Sequence, residues 1–275
     1  MRLGIFAKTF AGTTPLTVLT AARDAGFAAV QYNMACSGLA AMPDQITPEI
    51  TGAIRLASAE TGIAIAAVSG TYNMIHPDPY VRATGQRRLA LLIENAAAMG
   101  TNMVTLCTGT CDPVDQWRGH SDNDTPTAWA LLCAEMAKAA AKADTHGVKL
   151  GIEPELANVV SDATRARLLL DTLQSPALAI VLDPANLFLV TSLKQQHKLL
   201  NHSVELLADR IVMAHAKDRD DQGRFVTAGT GIVDFDDFLR ALHRVGFDGD
   251  VVTHGLSEPE AADVGRFLTG RLRRL

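Results

Sequence analysis

The chain has 275 residues, of which 48% are hydrophobic and 20% are charged, and its formal net charge is −5 at pH 7. This length and apolar content allow one large core, which argues against intrinsic disorder. The basic residues are scattered and form no positive face of the kind that binds a phosphate backbone, so nucleic acid is not an expected partner. No apolar run approaches the roughly 20 residues that cross a bilayer, so no membrane association is expected.

The N-terminal residues 1–6 resemble a strand and lack the apolar region and small-residue cleavage site of a secretory signal. We therefore expect a cytoplasmic protein. The cysteines show no spacing typical of a zinc site, and we expect all four to be free thiols: Cys36, Cys107, Cys111 and Cys133.

Short apolar runs alternate with helical patterns along the whole chain. The runs predict strands over 2–6, 28–31, 64–68, 102–107, 148–152, 179–182, 211–214 and 250–253. The periodicity predicts helices over 15–25, 48–61, 82–99, 127–146, 162–174, 197–208, 235–245 and 258–272. Glycines suited to a left-handed helix cap precede five of the strands: Gly26, Gly62, Gly100, Gly147 and Gly246. This alternation predicts a single (β/α)8 TIM barrel over residues 1–275.

Polar side chains follow the late strands directly. Glu153 and Asp183 come after the fifth and sixth predicted strands, and His215 and His254 come after the seventh and eighth. The active site of such a barrel lies at the C-terminal ends of its strands. Because neighbouring strands are about 5 Å apart, the four side chains can point toward one place.

Two carboxylates and two imidazoles suggest a site for one divalent metal ion. These ligands suit Mn2+, Zn2+, Co2+ or Fe2+, and Mg2+ if waters complete its shell. Each residue alone also has a structural explanation: Asp183 precedes Pro184 and could cap a helix, and His215 could simply be hydrogen-bonded at a strand end. Four candidate ligands at equivalent points of consecutive strands favour the metal site.

Several of these segments resemble the xylose-isomerase-like barrels of sugar phosphate isomerases and epimerases. The matching segments are 69–78 (SGTYNMIHPD), 107–110 (CTGT), 152–155 (IEPE), 183–188 (DPANLF), 215–218 (HAKD) and 228–235. The resemblance implies a TIM barrel whose metal is held by a Glu, an Asp, a His and a second Glu after strands five to eight. The first three correspond to Glu153, Asp183 and His215. Relatives often form dimers or tetramers, so the resemblance implies a homodimer or homotetramer.

The fourth ligand departs from that family's pattern, because His254 stands where a glutamate is expected. In related epimerases the two glutamates act as acid and base on opposite faces of the sugar. His254 could bind the metal or, if free, exchange protons near its ordinary pKa of about 6.5. Glu258 is an alternative, although it lies where the last helix is expected to start. Asn186 replaces a histidine of many relatives and can bind a hydroxyl but cannot transfer protons.

These features predict a metal-dependent isomerase or epimerase of a sugar or sugar phosphate that acts through an enediolate. Glu153 is the expected base, with the proton returned by Glu153 or His254, and Lys217 stabilises the oxyanion or pairs with a carboxylate. We expect substrate contacts from Tyr72, Asn73, His76, Trp117, Arg118, His120, Glu155 and Asn186. A phosphate group could be bound by Arg219, Arg224 and the amides near Gly229 and Gly231.

Three other functions use a similar scaffold. A lyase or dehydratase of a keto-polyol or keto-acid shares the metal-enolate step and would release water. A catalytically silent barrel would bind a sugar without turnover, and the replacement at His254 motivates this alternative. Apurinic endonucleases need further histidines for a multi-zinc cluster, whereas the residues after His215 are Asp218, Arg219, Asp220 and Asp221.

Overall fold

The computed structural model describes residues 1–275 and contains a closed parallel barrel. The barrel strands are β1 (Arg2–Phe6), β2 (Ala29–Tyr32), β3 (Ala64–Ser69), β4 (Met103–Cys107), β5 (Lys149–Glu153), β6 (Leu178–Leu182), β7 (Ile211–Ala216) and β10 (Asp250–Thr253). Each strand pairs with its sequence neighbours in the barrel, and β10 closes it against β1. The predicted TIM barrel is confirmed.

Eight α-helices accompany the strands: the first seven connect them, and the eighth follows β10. They are α1 (Pro15–Asp24), α2 (Pro48–Thr61), α3 (Pro79–Asn95), α4 (Pro126–His146), α5 (Ala163–Leu173), α6 (Leu193–Leu207), α7 (Phe235–Arg244) and α8 (Ala261–Leu272). The five glycines predicted to cap helices all have φ between 64° and 91°, a conformation that disfavours side chains with a Cβ. No helix has the length and apolar character needed to span a membrane, and all four cysteines are free thiols, as predicted.

Two helices begin earlier than the periodicity predicted, because their caps lie in polar sequence. In α3 the Asp78 carboxylate accepts a hydrogen bond from the Tyr80 amide at 2.8 Å, and Pro79 occupies the first turn. In α6 the Ser192 hydroxyl accepts from the Gln195 amide. Because a polar cap starts each helix, the helix begins several residues before the apolar periodicity becomes visible in the sequence.

A short antiparallel hairpin, β8 (Asp218–Arg219) with β9 (Phe225–Val226), was not predicted. Its strands have two residues each, too few to show an alternating pattern. The Asp218 carboxylate accepts hydrogen bonds of 2.9 Å from the amides of Gly229, Gly231 and Val233. This carboxylate therefore folds the glycine-rich loop back onto the end of β7.

Small apolar side chains fill the barrel, and a larger core of 66 buried residues packs around them. The small cluster consists of Ala29, Ala66, Ala67, Val181, Met213 and Val252. Side chains two positions apart on a strand share a face. The residues two positions after Val181, Met213 and Val252 therefore also face inward, at the C-terminal mouth: Asp183, His215 and His254.

Candidate metal centre

Four side chains meet at the C-terminal mouth of the barrel, as predicted. One potential ligand atom each from Glu153, Asp183, His215 and His254 lies within 4.8 Å of all the others. The side chain of Asp183 is fully buried, whereas those of Glu153 and His254 retain 12% and 21% exposure. The cluster is thus anchored in the barrel and open on one side.

The distances within the cluster are short enough for one ion to contact all four groups. His215 Nδ1 lies 3.1 Å from Glu153 Oε1 and 3.9 Å from Asp183 Oδ2. His254 Nε2 lies 3.4 Å from the same Asp183 oxygen. The two imidazole rings meet edge to face with centroids 4.5 Å apart.

His215 is also held from behind by a residue that the sequence analysis missed. Its Nε2 lies 2.8 Å from Gln31 Oε1, and Gln31 Nε2 donates to Thr105 Oγ1 at 2.9 Å. Gln31 is the last residue of the predicted strand 28–31. The strand-end rule that identified the ligands would have identified it too, had it been applied to the early strands.

Asn186 orients the Glu153 carboxylate. Its Nδ2 donates to Glu153 Oε1 at 2.7 Å, and its own Oδ1 is buried without a hydrogen-bond partner. Burial raises the pKa of Glu153, but the hydrogen bond and charge of His215, together with the charge of Lys217, outweigh burial, so the pKa lies below its ordinary value. Glu153 is therefore an ionised carboxylate at neutral pH.

Opposing effects also leave Asp183 ionised and His254 neutral. Burial raises the pKa of Asp183, but Lys217 and His254 together hold it well below its usual range. For His254, burial and the nearby His215 lower the pKa, and the hydrogen bond with Asp183 only partly offsets them. Ionised carboxylates and neutral imidazoles are the forms that bind metals. The donor set therefore fits a divalent cation.

Lys217 pairs with a carboxylate of the cluster, which was one of its two expected roles. Its Nζ lies 3.6 Å from Asp183 Oδ2 and 3.6 Å from the centre of the Phe225 ring. Glu258 does not join the cluster, because its Oε2 accepts a hydrogen bond from the Ala11 amide at 2.9 Å. His254, and not Glu258, occupies the place where the family's second glutamate was expected.

A cavity of about 540 Å³ opens above the cluster, a size in the usual range for small-molecule sites. One part of its wall is apolar and aromatic: Phe6, Met42, Trp117 and Phe225. The other part is polar and includes Lys8, Asn33, Ser69, Thr71 and Gln116, which the sequence analysis also missed. Lys8 and Asn33 follow β1 and β2 closely, so their positions carried a signal, whereas Gln116 lies deep in a loop.

Three of the eight predicted substrate contacts line this cavity: Trp117, Glu155 and Asn186. Burial raises the pKa of Glu155 to about 7, with repulsion from Glu153 and Asp183 adding to the effect and Lys217 opposing it. Near neutral pH this carboxyl group is therefore partly protonated, so it can either donate or accept a hydrogen bond.

The other five predicted contacts lie outside the cavity wall, because the loops themselves engage them. Asn73 binds the loop after β4, where its side chain donates to Thr110 O at 2.9 Å and accepts from Thr110 N at 3.0 Å. Arg118 makes a two-pronged ion pair with Asp112 at 2.5 and 2.9 Å.

The remaining three side chains of this group are equally local. The Tyr72 ring packs on Gly85 of α3, where a Cβ would lie only 2.0 Å from the ring. The His76 side chain lies 3.1 Å from Pro113 O. His120 Nδ1 accepts a hydrogen bond from the backbone of the following short turn. These residues shape the early loops.

The predicted phosphate-binding groups are already engaged within the protein. The amides of Gly229 and Gly231 donate to the Asp218 carboxylate. The Arg219 guanidinium donates to the carbonyl oxygens of Ala185 and Gly223. Arg224 forms an exposed ion pair with Asp220 at 2.7 Å. The Asp218 carboxylate therefore already uses the two amides that were expected to bind a phosphate group.

Comparison with known proteins agrees with the fold. A family model of the xylose isomerase-like TIM barrel matches residues 19–265. A sequence search of curated proteins finds no match.

Solved structures with the same fold share little sequence with the chain. L-ribulose 3-epimerase is 18% identical with a TM-score of 0.77, over 99% of this chain and 95% of that one. The apo form of 3-keto-D-glucoside 4-epimerase from E. coli is 15% identical with a TM-score of 0.77, over 98% and 99%. The IOLI protein with a bound zinc atom is 16% identical with a TM-score of 0.71, over 98% and 96%. The chain belongs to the xylose isomerase-like TIM barrel family.

Proposed function

We propose that the protein is a divalent-metal-dependent isomerase or epimerase of an unphosphorylated sugar. The observation that carries this proposal is the cluster of two carboxylates and two imidazoles within 4.8 Å of one another, at the floor of a cavity with polar and aromatic walls. The similar structures support it, since two of them are sugar epimerases and a third binds zinc.

Glu153, Asp183, His215 and His254 would hold the cation. When bound, it would act as a Lewis acid that lowers the cost of the negative charge formed as an enediolate. This mixed set of oxygen and nitrogen ligands suits Mn2+, Zn2+, Co2+ and Mg2+.

Glu153 is the proposed base for the carbon-bound proton next to the carbonyl. It is ionised, and Asn186 fixes its orientation through the 2.7 Å hydrogen bond. His254 stands where the resemblance to the family led us to expect a second glutamate. Because its Nε2 faces Asp183 at 3.4 Å, we propose that it serves as a ligand in an isomerase, where Glu153 returns the proton to the neighbouring carbon on the same face. In an epimerase the proton must return to the opposite face of the same carbon, and His254 would then be the proton donor instead of a ligand.

The cavity suits a neutral polyol. Trp117 and Phe225 offer apolar surfaces against which the C–H faces of a sugar can pack. Asn33, Glu155 and Asn186 offer hydrogen-bonding groups for hydroxyls. Lys217 is neutralised by Asp183, and the glycine amides beyond it are filled by Asp218, which favours a substrate without phosphate.

Metal analysis tests the proposal first. Wild-type protein, Asp183→Ala and His254→Ala would be dialysed, reloaded with Mn2+, dialysed again and examined by elemental mass spectrometry. We expect about one equivalent in the wild type and a loss in both variants. Matched substitutions of exposed residues, Asp44→Ala and His146→Ala, should leave the metal content unchanged. Absence of metal from the wild type would overturn the proposal.

Proton exchange then tests the reaction. Ketoses incubated with Mn2+-loaded protein in deuterated water should gain deuterium next to the carbonyl and yield the epimer or isomer. Binding of the sugar without deuterium uptake would favour a silent sugar-binding barrel. Release of water from the sugar would identify a dehydratase.

A further inference from the structure

Gln31 lies on β2 and forms a hydrogen bond with only one of the four residues of the metal centre, His215. We propose that Gln31 is a positioning residue: it fixes the proton of His215 on Nε2, so that the Nδ1 lone pair faces the cation. This inference rests on the proposed metal centre. It adds a residue that is not itself a metal ligand and acts only through His215.

The imidazole of His215 uses its two nitrogens for different partners. Nδ1 faces the cluster, 3.1 Å from Glu153 Oε1, while Nε2 faces away from it and lies 2.8 Å from Gln31 Oε1. An amide oxygen can only accept a hydrogen bond, so Nε2 must carry a proton to make this contact. A neutral imidazole has a single N–H, and Nδ1 is then left with a free lone pair.

Thr105 is the hydrogen-bond partner of the amide nitrogen of Gln31. Gln31 Nε2 donates to Thr105 Oγ1 at 2.9 Å, which leaves Oε1 for His215. If the amide were reversed, its NH2 group would face Nε2, and the imidazole proton would move to Nδ1. That proton would then occupy the space where the two carboxylates and the cation meet. The observed orientation is the one compatible with a ligand at Nδ1.

Burial makes this arrangement costly to change. Gln31, Thr105 and His215 are all buried, with 7%, 2% and 2% exposure. A buried polar group that loses its only partner is not compensated by water. Three strands contribute one residue each, β2, β4 and β7, so the barrel itself holds the imidazole in place. The ring therefore presents Nδ1 to an incoming cation without rotating.

The test replaces the amide oxygen while leaving all four ligands in place. The Gln31→Leu variant removes the acceptor, and Gln31→Glu is the matched control, because it retains an acceptor of the same length that Thr105 can also bond. We expect Gln31→Leu to weaken Mn2+ binding about 10- to 100-fold by titration. We expect Gln31→Glu to bind Mn2+ at least as tightly as the wild type.

Nitrogen-15 NMR of the Zn2+-loaded protein gives a readout that a general loss of packing would not produce. His215 should appear as the Nε2–H tautomer with a metal-shifted Nδ1 in the wild type and in Gln31→Glu. Thr105→Val, which removes only the partner of the amide nitrogen, should weaken Mn2+ binding less than Gln31→Leu. Circular dichroism would confirm that each variant is folded.

The outcomes separate this inference from the proposed function. If the wild type binds metal and Gln31→Leu binds it equally well, the positioning role is overturned while the metal centre stands. An Nδ1–H tautomer in the loaded wild type would also overturn it. If the wild type binds no metal, the proposed function itself fails.

Discussion

The ends of the late strands and the loops after the early strands were both predicted to bind ligands, yet they differ in what they do. The late strand ends bring together Glu153, Asp183, His215 and His254. The loops after β3 and β4 mainly use their polar side chains on each other, as in the bonds from Asn73 to Thr110 and from Arg118 to Asp112.

The difference shows that distance from the strand end matters more than residue type. Asp183 follows β6 immediately and His215 lies within β7, so the barrel determines where their side chains point. Asn73 and Arg118 lie four and eleven residues beyond β3 and β4. Over such a span the chain can turn in many ways, and a polar side chain there must first satisfy its own loop.

The largest effect should come from the late strand ends. Glu153→Gln keeps the size of the side chain but removes the proposed base. At saturating Mn2+ we expect deuterium exchange into the substrate to fall about 10²- to 10⁴-fold. The matched variant Glu60→Gln, on the exposed face of α2, should exchange at the wild-type rate. A Glu153→Gln variant within tenfold of the wild type would show that another group removes the proton.

The early loops should respond in stability and not in metal binding. Asn73→Ala leaves the amide and carbonyl of Thr110 buried without their partners. We expect a loss of about 1–3 kcal/mol in the free energy of unfolding, measured by urea denaturation, with unchanged Mn2+ affinity. The opposite result, normal stability with a weakened metal site, would contradict the structural role of this loop.

Trp117 lies between the two regions, in the loop after β4 but on the cavity wall. Its side chain is 52% exposed, so Trp117→Ala should cost little stability. If the ring packs on the sugar in both ground and transition states, KM should rise about 2- to 12-fold with kcat unchanged. Steady-state kinetics would show this, and an unchanged KM would assign Trp117 to the loop.

Local pattern was sufficient for most of the architecture. The alternation of apolar runs with helical periodicity predicted the barrel, and so did the glycines at the helix ends. Two of these, Gly62 and Gly147, do have the left-handed φ of 74° and 64° that such caps require. It was insufficient at helix starts such as Pro79, where a polar cap precedes the stripe, and at the two-residue strands of the β8–β9 hairpin.

The sequence by itself determined the barrel and the four side chains that converge at its mouth, because strand order and two-residue alternation are local properties. Only the tertiary structure decided that Gln31 bonds His215, 184 residues away, and that Asp218 fills the glycine amides. It also decided that five of the predicted contact residues do not line the cavity. These are long-range pairings between polar groups, and each is chosen by which partners the folded barrel brings within hydrogen-bond distance.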